Sequence, residues 1–111
     1  MRRGTTPTNT FKTKTDVTGM AALFITYMQG GETIIEKSLP DIDIYEEQKT
    51  EGEETITIYV METKLTQEET LALNSHGEVE IQVRGKYTDG SVIACPVIKA
   101  PVCRILKEGV I

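Results

Sequence analysis

The side chains best suited to nucleophilic or metal chemistry in this 111-residue chain are two cysteines and one histidine. Cys95 and Cys103 stand eight positions apart, which matches no CxxC pattern, and one histidine cannot complete a zinc site with them. A nucleophile needs a base beside it, and His76 stands in Asn-Ser-His-Gly, a sequence typical of a turn, while the chain has no GxSxG motif. The sequence therefore predicts no catalytic residue, no metal and no cofactor, and hence no enzyme.

The two cysteines have mostly apolar neighbours in the sequence. Free cysteine behaves as a small hydrophobic side chain, so Cys95 and Cys103 are expected to be buried, reduced thiols. A disulfide between neighbouring strands is the alternative.

Other site chemistries have weaker support. The 17 acidic residues could supply a carboxylate pair for glycoside hydrolysis, but such enzymes need a larger cleft lined with aromatics. The chain has four tyrosines, two phenylalanines and no tryptophan, which also weakens a carbohydrate-binding platform. The glycines form neither of the phosphate-binding motifs, GxxxxGK[ST] and GxGxxG.

The bulk charge and hydropathy of the chain exclude some partners. A net charge of −5 argues against a broad phosphate-binding surface, so no nucleic-acid partner is expected. No apolar run approaches the roughly 20 residues that span a bilayer, and the first residues lack the pattern of a signal peptide. We therefore expect a soluble protein without a membrane partner, held in the cytoplasm until it joins something larger.

The elements that would position any site are mostly strands. Thr5–Thr15 is rich in threonine and predicts a first strand, which Pro7 confines to a sheet edge because it lacks an amide donor. Gly30-Gly31 predicts a hairpin turn between Ala22–Met28 and Glu32–Ser38, and apolar residues on both faces of the first arm predict a central strand covered on both sides. Further strands are predicted at Asp41–Tyr45, Thr55–Met61, Glu78–Arg84, Ser91–Ile98 and Val102–Leu106, and an exposed loop at Glu46–Glu54.

Two local signals refine these elements. Thr66 and Glu69 match a capping box, which predicts a short helix from Thr66 to Leu73. Pro96 predicts a bulge or an edge position within its strand, and Pro101 separates that strand from the last one.

These elements predict an all-β fold in one domain, residues 1–111. About seven or eight short strands with short connections favour an antiparallel, two-sheet, immunoglobulin-like sandwich with one short helix. The immunoglobulin-type tryptophan and cysteine pair are absent, so this topology rests on the number of strands. The basic pair Arg2-Arg3 is predicted to lie in a solvated N-terminal tail, with residues 1–5 as its flexible part.

Four segments carry a resemblance to a known group of proteins. They are Arg-Arg-Gly-Thr-Thr-Pro-Thr at residues 2–8, Leu-Phe-Ile-Thr-Tyr at 23–27, Leu-Thr-Gln-Glu-Glu-Thr at 65–70 and Arg-Ile-Leu-Lys-Glu-Gly at 104–109. Across nearly its whole length the chain resembles short phage and prophage proteins of gut Firmicutes. The resemblance implies a virion structural protein near the tail or baseplate, where small β-sandwich domains resembling the N-terminal domain of baseplate upper proteins act as connectors. It brings no catalytic residues to carry over.

An edge strand offers a physical route to such an assembly role. Unpaired backbone groups along Thr5–Thr15 could pair with a neighbouring subunit, either another phage structural protein or a second copy. The candidate assembly residues are Arg2, Arg3, Thr6, Thr8 and Thr10. Deleting Met1–Thr8 is then expected to weaken assembly and leave the fold intact.

Other interpretations stay open at this stage. The edge could be protected inside its own sandwich. The chain could also be a free-standing module that binds protein or carbohydrate, or, as the least favoured function, a small hydrolase.

Overall fold

The computed structural model of the protein describes all residues, 1–111. Eight strands, one α-helix and one short 3-10 turn make up the fold. They are β1 (Thr8–Thr13), β2 (Ala22–Gln29), β3 (Glu32–Ser38), the 3-10 turn (Leu39–Asp41), β4 (Asp43–Glu51), β5 (Glu54–Lys64), α1 (Gln67–Leu71), β6 (Glu78–Lys86), β7 (Val92–Ala94) and β8 (Ile98–Pro101). No helix has the length and apolar character needed to cross a membrane.

The strands form two antiparallel sheets, which confirms the predicted sandwich. One sheet has three strands in the order β1-β5-β4. The other has five: β3, β2 and β6 are neighbours in that order, and both β7 and β8 pair with the far side of β6. Strands β1 and β4 are the edges of the first sheet, so the predicted edge position of the threonine-rich strand is confirmed.

The hairpin of β2 and β3 turns at two glycines, as predicted. Gly30 has φ 59° and Gly31 has φ 80°, the left-handed region that a two-residue hairpin turn requires at both positions. Strand β2 is central, between β3 and β6. The predicted burial of both its faces is wrong, because only the face with Ile25 meets the other sheet, while Phe24 on the opposite face is 40% exposed.

The core between the sheets is largely aliphatic, with one buried tyrosine. Tyr27 is fully buried, and burial raises its pKa above the ordinary value. Asn9 Nδ2 donates a hydrogen bond of 2.7 Å to the Tyr27 hydroxyl, which links β1 in one sheet to β2 in the other. The other core members are Val17, Met20, Leu23, Ile25, Ile35, Ile42, Met61, Leu65, Leu73, Val79, Ile81, Val83 and Val102.

Residues Glu46–Glu54 were expected to form an exposed loop, and this prediction is wrong. Strand β4 continues to Glu51, and β5 begins at Glu54 after a turn in which Gly52 has φ 64°. The register runs from Glu46 opposite Tyr59 to Glu51 opposite Glu54. Hydrophobic alternation is missing here because both faces of the ribbon meet solvent, and main-chain bonds between the two arms need no apolar side chains.

The strand after the Asp89-Gly90 turn is interrupted at Pro96, as predicted. Its parts, β7 and β8, both pair with β6, with Arg84 opposite Ala94 and Ile81 opposite Ile98. The predicted last strand, Val102–Leu106, is wrong. Regular pairing ends at Pro101, and beyond it Cys103 forms a single parallel bridge with Arg2.

Helix α1 begins with the predicted capping box. The Thr66 hydroxyl accepts the Glu69 N–H at 3.1 Å, and the Glu69 carboxylate accepts the Thr66 N–H at 2.9 Å. The helix ends at Leu71, and the flanking Leu65 and Leu73 are buried in the core.

The N-terminal residues lie against the C-terminal segment, so the predicted solvated tail is wrong. The Arg3 N–H donates to Cys103 O at 3.1 Å, and the Cys103 N–H donates to Met1 O at 2.7 Å. The Arg3 guanidinium donates to the carbonyls of Leu71 and Leu73 at 2.9 and 2.7 Å and pairs with Glu108 at 2.7 Å. The last carbonyls of a helix lack partners within it, and Arg3 supplies a donor to the carbonyl of Leu71, the last residue of α1, and to that of Leu73 just beyond the helix.

Candidate functional site

The free edge of β1 has main-chain groups that no other strand of the chain pairs. Strand β1 pairs with β5 alone, and the Leu65 N–H donates to Pro7 O at 2.9 Å. In an antiparallel pair, alternate residues direct both main-chain groups away from the partner. Because the main chain of Pro7 faces β5, the residues whose main-chain groups face away from β5 are Thr8, Thr10 and Lys12. The side chains of these three residues are exposed.

The structure separates the five candidate assembly residues into two places. Thr8 and Thr10 lie on the outer face of β1, and Thr6 is exposed just before the strand. Arg2 and Arg3 lie at the junction with the C-terminal segment, where Arg2 Nη1 donates to Arg104 O at 3.0 Å. The threonines therefore belong to one surface, and the arginines hold the two ends of the chain together.

A groove runs beside the free edge of β1, between it and the β7–β8 edge of the other sheet. Its volume is about 620 Å³, and nine of its fifteen lining residues are hydrophobic. Phe11 contributes from β1, and Ile93, Cys95 and Ile98 contribute from the opposite edge, with core residues such as Leu23 also lining it. We call this cavity the edge groove.

The edge groove was not predicted from the sequence. Phe11 is the one aromatic residue among the threonines of β1, and Pro96 breaks the strand across the cavity. Each is a local signal, but their juxtaposition depends on how two different sheets align at one side of the sandwich.

Cys95 takes part in strand pairing beside the edge groove. Its N–H donates to Val83 O at 2.9 Å, and its Sγ lies 3.1 Å from the Val83 nitrogen, where it accepts the N–H. Both cysteines are free thiols. The expected burial is wrong for Cys103, which is exposed, and Cys95 is half-buried at the groove wall.

His76 lies in the turn before β6, as predicted, and is exposed. Its side chain makes no hydrogen bond. Cys95 contacts Val83 of β6, and His76 lies just before Glu78, the first residue of that strand. Val83 is five residues along the strand from Glu78, a distance of about 17 Å at a rise of about 3.3 Å per residue. The structure therefore does not bring His76 to Cys95, and no three His, Cys, Asp or Glu side chains are grouped as metal ligands.

A second surface is the far end of the β4–β5 ribbon, residues 46–58, which we call the acidic hairpin. Strand β1 pairs only with Tyr59–Lys64 of β5, so the ribbon beyond that point has no third strand. Residues 46–54 contain five glutamates and one lysine, a net charge of −4 out of the total of −5. Ile56 and Ile58 share one half-exposed face of this ribbon.

An ion pair joins helix α1 to the inward face of β3. Lys37 is 9% exposed, and its Nζ lies 2.8 Å from Glu69 Oε1. Burial acts to raise the pKa of Glu69, but hydrogen bonds from Lys37 and Thr66 outweigh it and hold the pKa below the ordinary value of 4.5. Glu69 thus serves both the capping box and the ion pair.

The lowered pKa of Glu69 predicts a loss of stability in acid. A folded-state pKa below the unfolded one means that the ionised carboxylate stabilises the fold above about pH 4.5 and that this stabilisation is lost as the pH falls through the folded-state pKa. We expect the difference in unfolding free energy between wild type and Glu69→Gln, measured by urea titration, to decrease below that pH. Hydrogen bonds also lower the pKa values of Asp16 and Asp89. Wild type and Glu69→Gln both contain these two carboxylates, so their titration cancels in the difference. A difference that stays constant into acid would contradict the prediction.

The fold and these surfaces together define a two-sheet β-sandwich with a free strand edge, an apolar groove beside that edge and a projecting acidic hairpin. Comparison with protein-family models, with curated proteins and with solved structures gives no significant match.

Proposed function

We propose that this protein is a non-enzymatic assembly component that joins a neighbouring protein by strand pairing at the free edge of β1. The observation that carries the proposal is the coincidence of two features on one side of the sandwich. Thr8, Thr10 and Lys12 direct main-chain groups outward, and the edge groove beside them is apolar. When a strand is added to a sheet edge, main-chain bonds supply affinity and side-chain pockets supply specificity.

The proposed setting is a phage or prophage particle, with the chain as a tail- or baseplate-associated structural protein. The resemblance of residues 2–8, 23–27, 65–70 and 104–109 to phage and prophage proteins supports this setting. The proposed partners are other virion proteins or further copies of the chain. The protein would be made in the host cytoplasm and then incorporated into the virion.

A second candidate function is a free-standing binding module. The edge groove falls within the range of about 300–1,000 Å³ typical of small-ligand pockets. A sugar platform has less support, because the exposed aromatics Phe24 and Tyr45 lie on the outer faces of different sheets. The Tyr45 hydroxyl also donates to Glu62 at 2.6 Å. An extended peptide fits better than a small molecule or a sugar, because its main chain can pair with the edge of β1 while its side chains enter the edge groove.

Thr10→Pro tests the proposal at the edge itself. The Thr10 N–H points away from β5, so proline there removes a free donor and retains the β1–β5 ladder. We expect the copy number of the variant in purified induced particles, measured by quantitative mass spectrometry, to fall at least about tenfold, as for loss of a central contact.

The matched control for this experiment is Thr10→Val, which keeps the N–H and the β-branched shape. The incorporation of Thr10→Val should equal that of wild type. The unfolding free energies of both variants should lie within about 1 kcal/mol of the wild-type value. If the wild-type chain is absent from intact particles, or if Thr10→Pro is incorporated normally, the proposal is wrong.

A further inference from the structure

We propose that the strand added at the free edge of β1 is β1 of a second copy of this chain, paired antiparallel about a two-fold axis at Thr10. The inference rests on the proposed function and names the partner and the register of the contact. The two three-stranded sheets then form one continuous sheet, with the two β1 strands at its centre. Because the same surface of both copies meets, the contact is isologous and closes with two chains.

The outward main-chain groups of β1 are complementary to a second set of themselves. They belong to Thr8, Thr10 and Lys12. An antiparallel copy centred on Thr10 places Thr8 opposite Lys12 and Thr10 opposite Thr10, and each such pair exchanges two main-chain hydrogen bonds. If the centre moves to either neighbouring residue, one of the three outward residues loses its partner within β1. The register at Thr10 therefore uses this edge most fully.

Charge distinguishes the edge of β1 from the other long strand edges. Strand β1 contains no carboxylate, whereas β3 contains two and β4 contains four. Two copies that met at β3 or at β4 would bring carboxylates close together, and charged residues of this kind protect a strand edge from pairing. The remaining edge strands, β7 and β8, are only three and four residues long, and Pro96 lies between them.

The one charged residue of β1 is compatible with this register. Lys12 is placed opposite Thr8 of the second copy, so no like charges are directly opposed. The Lys12 Nζ lies 3.1 Å from Glu47 Oε2 of its own chain on the exposed face of the sheet. This ion pair leaves the outward main-chain groups of Lys12 free, so the contact depends on main-chain pairing and not on an unpaired charge.

The same pairing covers apolar surface at the edge groove. Strands that pair within one sheet keep corresponding faces on the same side, so Phe11 of the second copy lies on the side of the sheet that faces the groove. The β7–β8 segment across the groove contains Val97 and Ile98, which are 49% and 45% exposed. A second copy beside β1 removes part of this apolar surface from water, which favours the dimer.

Disulfide cross-linking tests the register directly. Directly opposite residues of a hydrogen-bonded antiparallel pair have Cα atoms about 5.5 Å apart, a distance that a disulfide spans. In a chain that carries Cys95→Ala and Cys103→Ser, we expect Thr10→Cys to form a covalent dimer with oxidised glutathione. Thr8→Cys is the matched control. Its two copies lie four residues apart along the strands, about 13 Å, so it should yield at least about tenfold less dimer.

A mixture of two variants gives a second test of the register. Thr8→Cys and Lys12→Cys in the same background should each cross-link poorly alone, but their equimolar mixture should form a heterodimer because the two positions are opposite each other. Circular dichroism melting confirms that the variants are folded. If Thr10→Cys forms no more dimer than Thr8→Cys, or if the mixture forms no heterodimer, the inference is wrong.

Sedimentation equilibrium tests the chain with its native cysteines. We expect wild type to show a monomer–dimer equilibrium and no larger species. Thr10→Pro removes an N–H from each copy at the two-fold axis, and the loss of two hydrogen bonds per dimer should raise the Kd at least about tenfold. Thr10→Val should dimerise as wild type does. Wild type that is monomeric at its highest soluble concentration, or Thr10→Pro that dimerises as well as wild type, overturns the inference.

The two proposals can fail separately. If Thr10→Pro abolishes incorporation into particles but Thr10→Cys does not cross-link, the assembly function stands and the partner is another protein. If Thr10→Cys cross-links but the wild-type chain is absent from particles, the self-contact stands and the virion function is wrong.

Discussion

Deleting residues 1–6 is expected to destabilise the protein by about 4–6 kcal/mol, given about 1 kcal/mol for each hydrogen bond lost. The segment makes main-chain bonds with Cys103, and Arg3 donates to the carbonyls of Leu71 and Leu73. The Thr5 N–H donates to the Thr70 hydroxyl, which in turn donates to Thr5 O. Because a domain of this size has a total stability of about 5–15 kcal/mol, this loss removes a large fraction of it and should move the urea midpoint well below that of wild type.

The measurement is urea unfolding followed by circular dichroism. Arg3→Ala should reproduce about 2 kcal/mol of the loss, because it leaves the carbonyls of Leu71 and Leu73, at and just beyond the end of α1, without those donors. The control is Arg2→Ala, which removes an exposed side chain with one hydrogen bond and should change stability by less than about 0.5 kcal/mol. A deletion variant as stable as wild type would restore the solvated-tail interpretation.

Glu69→Ala is expected to destabilise the protein by about 3 kcal/mol, from the loss of a helix cap and of a largely buried ion pair. The substitution removes the acceptor for the Thr66 N–H and the partner of Lys37, which is 9% exposed. An ammonium left without its partner keeps its desolvation cost and loses the compensating attraction.

A double-mutant cycle separates the two effects. Lys37→Met fills the same space without a charge, so Lys37→Met/Glu69→Ala should be more stable than the sum of the single changes predicts, by about 1–3 kcal/mol. The measurement is the unfolding free energy, from chemical denaturation, of wild type, of each single variant and of the double variant. Additive effects would show that the two side chains do not stabilise each other.

These stabilising contacts lie apart from the proposed assembly surfaces. Arg3 and Glu69 hold α1 and the N-terminal segment, whereas Thr10 and Ile98 border the edge groove. Changes at the groove can therefore test assembly with little effect on the fold. These contacts argue against the expectation that removing Met1–Thr8 would leave the fold intact. Such a deletion also removes the groups that form hydrogen bonds with Cys103 and with the end of α1.

The sequence by itself determined the features that depend on neighbouring residues. Gly30-Gly31 predicts its hairpin because only residues that tolerate positive φ form the turn. Thr66 and Glu69 predict the start of the helix because both partners of the capping box lie within one turn. Pro96 predicts the break between β7 and β8 because it has no N–H for the ladder. Alternation of apolar residues along the strands predicts the two-sheet fold.

Only the tertiary structure decided the features made by distant residues. Nothing near Arg3 in the sequence indicates that two carbonyls at the end of α1, some 70 residues away, accept hydrogen bonds from its guanidinium. Residues 46–51 are a strand because β5 returns beside them, although their polar composition is typical of a loop. The edge groove arises where β1 and the β7–β8 edge of the other sheet lie side by side. These features depend on how the sheets pack together, which sequence periodicity along one strand does not specify.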